Sequence, residues 1–100
     1  MRIDPKIALL KVLISGDSFG FELMLRIKDA TNGALKMGPS KVYPALRGLE
    51  RDGLVESYPD PFPEHRGRPR IYYSITTAGR RAFYETRDQV VGFFEAPVPG

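Results

Sequence analysis

Five arginines and no carboxylate lie between His65 and Arg81: Arg66, Arg68, Arg70, Arg80 and Arg81. Gly67 and Pro69 alternate with the first three and shape a turn, and residues 71–75 then alternate as a strand does. A bare cationic turn at the mouth of a two-stranded ribbon suits a phosphate backbone. A second set lies upstream. In a segment opening at Gly38-Pro39-Ser40, Val42, Ala45, Leu46 and Leu49 recur at i, i+3, i+4 and i+7 and make a buried helical stripe. Ser40, Lys41, Tyr43, Arg47 and Arg51 are left facing outward. Lys41 and Arg47 can donate to guanine in a major groove. Ser40, beside free helix-start amides, suits a phosphate, and Tyr43 suits a phosphate or a thymine methyl. The same types populate ordinary solvated faces and loop tips; a basic helix followed by a basic turn favours DNA. Arg80 and Arg81 read as a solvent face.

Other chemistry finds little support. His65 is the single histidine, next to Glu64 in a proline-rich loop, and there is no cysteine. Metal sites need several ligands and nucleophilic catalysis needs a placed base. No enzyme activity, metal or cofactor is therefore expected. The formal charge of +3 over 100 residues is only mildly basic, so the clustering of cations carries the reading rather than their number. The apolar run 7–14, interrupted by Lys11, is too short to span a bilayer. A soluble, cytoplasmic protein with no membrane partner is expected.

The elements that must position these residues follow from local signals. Asp4-Pro5 is a helix opening, and residues 15–18 close that helix. Ile7, Leu10 and Ile14 share one face and Leu9 and Leu13 another, so the helix must be covered twice. Either it is wholly central, or its second face meets another subunit. A second helix is predicted over about 19–30 and ends at Asn32-Gly33. Pro44 is awkward inside the third helix, because an interior proline costs about 3 kcal/mol. Gly53 ends that helix, residues 54–58 form a strand, and 71–75 form its partner. Thr76 can cap a last helix reaching about residue 94. That helix is too long for so small a core to cover.

The chain resembles the PadR family of transcriptional regulators over nearly its whole length. Gly20-Phe21-Glu22-Leu23 is similar to the family's second-helix signature, and residues 40–55, from Ser40-Lys41-Val42-Tyr43-Pro44-Ala45-Leu46, resemble its recognition helix and the turn into the wing. Residues 67–79, from Gly67-Arg68-Pro69-Arg70, resemble the wing's return strand and the cap after it. Phe19 stands where the family often has histidine, and Thr77 where an acidic residue is common. The resemblance accounts for Pro44 and implies the small, single-domain branch.

The expected fold is mainly α with a small β-ribbon: a winged helix-turn-helix over residues 1–77, a C-terminal dimerisation helix over 78–95 and a flexible tail over 96–100. The resemblance implies a homodimeric repressor on an inverted-repeat operator in double-stranded DNA. It also implies relief by a small aromatic or drug-like effector. DNA contacts are assigned to Ser40, Lys41, Tyr43, Arg47, Arg66, Arg68 and Arg70. Ile7, Leu10, Ile14, Phe83, Val90 and Phe94 are assigned to a dimer seam or an effector pocket. The alternative is a winged helix used as a protein-interaction or adaptor module.

Overall fold

The structure, a computed structural model, describes residues 3–62 and 70–98. Helix α1 spans Pro5–Ile14, with Asp4 accepting from the Lys6 amide at 2.8 Å and Pro5 in the first turn. A two-residue strand β1, Ser18–Phe19, leads into α2, Gly20–Ala30. Helix α3 covers Pro39–Arg51, strands β2 and β3 cover Val55–Pro59 and Ile71–Ile75, and α4 runs Thr77–Glu95. This is a winged helix with a long trailing helix.

The sheet has three antiparallel strands in the order β1-β3-β2, where the sequence suggested two. Val55 faces Ile75 and Pro59 faces Ile71 across the hairpin, while Ser18 and Phe19 face Tyr73 and Tyr72. Two residues are too few for alternation to register, so β1 reads as part of the helix that follows. Along β3, Tyr73 and Ile75 enter the core as the alternation requires. Ile71, on the same face, stays 46% exposed at the rim of a groove that it lines with Phe21 and Tyr43.

The core is built from Leu9, Leu10, Leu13, Leu23, Ile27, Val42, Leu46, Leu49 and Val55, all fully buried. Helix α1 is its centre, touching α2, α3, β3 and α4 at once. Both of its apolar faces are consumed inside one chain. Leu10, expected at a subunit interface, is 1% exposed and has no surface left to offer a partner; that assignment is corrected. Ile7 and Ile14 are half-buried at the rim of the same core.

Two turns are fixed by left-handed backbone. Asn32 (φ 51°) and Gly33 (φ 79°) follow α2, and Gly53 (φ 74°) ends α3, conformations that glycine and asparagine enter most cheaply. Thr76 then joins two elements. Its hydroxyl donates to the Gly53 carbonyl at 2.7 Å and accepts from the Gly79 amide at 3.0 Å, capping α4 while holding it to the end of α3. Helix α4 leaves the domain after about two turns. Phe83 and Thr86 are half-buried, and every described residue beyond Thr86 is exposed.

Candidate nucleic-acid interface

Helix α3 buries Val42, Leu46 and Leu49 and presents Ser40, Lys41, Tyr43, Arg47 and Arg51 to solvent. Pro39 occupies its first turn. Pro44, on the exposed side one turn further on, has no amide to give the Ser40 carbonyl. Among the described residues neither Lys41 nor Arg47 is in an ion pair. Arg51 meets only the neighbouring Asp52, at 3.8 Å. The outward face of α3 therefore carries cations whose charge is not spent within the fold.

Tyr43 is positioned by an absence on the neighbouring helix. Its ring lies over Gly20, the first residue of α2, where a methyl group would come within 2.5 Å of the Tyr43 hydroxyl. The glycine of the Gly20-Phe21-Glu22-Leu23 motif thus leaves the space that the Tyr43 ring occupies. A groove of about 520 Å³ between α3 and the strands is lined by Tyr43, Phe21, Arg70 and Ile71.

Near the loop end of the hairpin runs an aromatic row that the sequence did not reveal. Phe19, Tyr72 and Tyr58 stand side by side across β1, β3 and β2. Tyr72 meets the Phe19 ring edge-on at 5.5 Å and stacks on Tyr58 at 5.7 Å, and the Arg70 guanidinium lies 4.5 Å from the Phe19 centroid. Phe19, a departure from the family pattern, is therefore the platform that orients Arg70. The Asp60 amide donates to the Arg70 carbonyl at 2.9 Å and carries the hairpin ladder one step further. Arg66 and Arg68, like His65, lie outside the described residues; of the three turn arginines Arg70 is described.

Two polar contacts brace this platform. The Tyr58 hydroxyl donates to the Asp17 carboxylate at 2.6 Å, tying β2 to the turn before β1. That hydrogen bond, with burial adding to it, pushes the Tyr58 hydroxyl up to about 12. Inside, fully buried Ser18 donates to Glu22 at 2.6 Å and accepts from Arg26, which also donates to the Val12 carbonyl at 2.7 Å and the Gly16 carbonyl at 3.0 Å. Arg26 so closes the end of α1. The sequence offered only an arginine in a helix and a serine in a turn, which is a weak signal for such a network.

The remaining candidates do not converge on one site within a single chain. Phe83 packs half-buried against the core, whereas Val90 and Phe94 are 44% and 63% exposed on the free length of α4, where Phe93 is 75% exposed. Ile7 lines a separate apolar groove of about 240 Å³ between α1 and α2, with Ala8, Lys11 and Ile27. Among the described residues no group of three or more acidic, histidine or cysteine side chains could hold a metal ion, and no helix is long and apolar enough to cross a membrane.

Residues 9–85 match the transcriptional regulator PadR-like family. A transcriptional regulator from Clostridium thermocellum has a similar structure, with a TM-score of 0.70 and 26% identity over 92% of this chain and 93% of that one. Bacillus subtilis PadR, solved in complex with operator DNA, superposes with a TM-score of 0.74 at 19% identity, covering 94% of this chain and 49% of its own. Transcriptional regulator YqjI of Escherichia coli is 29% identical over 85 residues, 85% of this chain and 38% of that protein. The chain spans less than two thirds of the length of the curated relatives it matches.

Proposed function

The chain belongs to the transcriptional regulator PadR-like family, and from that premise we propose that it binds operator DNA as a homodimer and represses transcription. One observation carries the reading: α3 presents Lys41 and Arg47 on its exposed face, neither in an ion pair among the described residues, and its Tyr43 shares the lining of one groove with the oriented Arg70 of the hairpin. Helix α3 enters the major groove. Lys41 and Arg47 read base edges, while Ser40, Tyr43 and the arginines Arg66, Arg68 and Arg70 hold phosphates. The Bacillus subtilis protein of like fold, solved in complex with operator DNA, supports DNA as the partner by analogy.

The homodimer is supported by α4. Its free end exposes Val90, Val91, Phe93 and Phe94 together, an apolar surface that a second copy would cover. In this reading residues 1–77 are the DNA-binding unit, 78–95 the dimerisation helix and 96–100 a tail. Relief by a small aromatic effector completes the scheme. The groove beside Ile7, at about 240 Å³, falls short of the ~300 Å³ at which ligand pockets usually begin. A second chain would have to enclose it.

Selection of bound fragments from random duplex DNA tests the proposal. The expected outcome is an inverted repeat with half-site centres about 10 bp apart and retention that weakens steeply with salt. Lys41→Ala with Arg47→Ala should relax base preference, each good base contact discriminating by about 1–3 kcal/mol. Salt-insensitive or absent retention would instead point to an adaptor.

A further inference from the structure

Gly48 is buried although it lies on the polar flank of α3, and what covers it is Lys6 from the first turn of α1. A methyl group at Gly48 would stand 3.0 Å from the Lys6 ammonium nitrogen and 3.3 Å from its Cε, with the Arg51 guanidinium 3.7 Å away. Glycine weakens a helix interior, and here its bare backbone is the seat on which a lysine stem crosses from one helix to the other. The ammonium reaches the side of α3 that also carries Lys41, two turns earlier. Among the described residues Lys6 is in no ion pair, and Arg51 has only Asp52. Two cations from different helices are thus brought together over one glycine, Arg51 with Asp52 beside it and Lys6 in no ion pair among the described residues. Like charges so placed repel each other, and an anion laid across both relieves that repulsion.

We propose that Lys6, seated over Gly48 and flanked by Arg51, is a contact to a DNA phosphate that extends the interface from α3 onto the start of α1; it rests on the DNA-binding reading above. The phosphate lies on the α1 side of α3, opposite the side on which Tyr43 and the hairpin stand. Lys6 carries no base information. Its contribution is affinity and orientation of α3.

The test compares the salt dependence of binding to a random duplex for the unaltered protein, Lys6→Ala, Gly48→Ala and Lys11→Ala. Lys11 is also exposed on α1 but faces the apolar groove between α1 and α2, so it controls for loss of a charge in general. Lys6→Ala should lower the slope of log K against log salt by about 0.9 for each phosphate that the subunit no longer neutralises, and Lys11→Ala should leave it unchanged. Gly48→Ala keeps every charge and favours the helix, yet displaces the ammonium, and should weaken binding in the same direction. An unchanged slope in Lys6→Ala, or an equal fall in Lys11→Ala, overturns the proposal while leaving DNA binding intact. Absence of salt-dependent binding by the unaltered protein overturns the reading beneath it.

Discussion

The Tyr43 ring occupies the place where any side chain at Gly20 would begin, with its hydroxyl 2.5 Å from the position of that missing carbon. The contact joins the start of α2 to the exposed face of α3, and it separates stability from binding. A methyl at residue 20 meets the far end of an exposed side chain, which can swing aside. Gly20→Ala should therefore cost less than the about 1–3 kcal/mol of overpacking against atoms that cannot move. Tyr43 would be displaced from the groove it lines with Arg70. DNA affinity should fall in Gly20→Ala about as far as in Tyr43→Ala, and the double variant should be no worse than either. Additive losses in that cycle would show that the two residues act independently.

Gly79 presents the opposite case. A methyl there would collide with the backbone carbonyl of Leu54, which cannot yield without moving the chain that leads into β2, and would stand 2.7 Å from the Ile75 side chain. Gly79→Ala should cost about 1–3 kcal/mol, the usual penalty of overpacking. In a domain of this size each kcal/mol lowers the melting temperature by about 4–8 °C. An unshifted melting curve would mean that α4 can slide off the hairpin freely.

The Tyr58–Asp17 bond gives the fold an alkaline limit. The folded protein holds the Tyr58 proton up to about 12, whereas an unfolded chain releases it near the ordinary value of 10.0. Between these values the folded state binds more protons than the unfolded one, so stability falls as pH rises. Below pH 10 this contribution is fully present. Tyr58→Phe should flatten the part of the stability profile between pH 10 and 12 that this residue causes. Denaturant melts across that range, with an unaltered alkaline slope in Tyr58→Phe, would assign the loss to other groups.

Helix α4 can be tested apart from the domain, since Phe94 is 63% exposed and contributes nothing to the core of its own chain. Phe94→Asp should leave the monomer folded but separate the pair, because a lone carboxylate buried at an interface costs several kcal/mol. Sedimentation at micromolar concentration should show about 22 kDa for the unaltered protein and half of that for the variant, given a chain of 11.2 kDa. A single species of 11.2 kDa in both would remove the dimer.

How much could be read in advance depended on whether a signal was local. Asp4-Pro5, Asn32-Gly33, Gly53 and Thr76 marked their helix ends correctly, because caps and left-handed turns involve residues a few positions apart. The stripe Val42, Leu46 and Leu49 fixed the outward face of α3 through the helical period alone. That was enough to place Ser40, Lys41, Tyr43 and Arg47 on the surface. Spacing could not say what covers a helix that is apolar on two sides. Leu10 reads the same whether a neighbouring element or a second subunit lies against it, and only the packing of α2, α3, α4 and β3 around α1 decided for the former. The Phe19–Tyr72–Tyr58 row, the Arg26–Ser18 network, and the seats of Tyr43 on Gly20 and Lys6 on Gly48 likewise belong to tertiary structure. Each joins residues from different elements, and a glycine's missing side chain acquires meaning only once the fold brings something into the space it leaves.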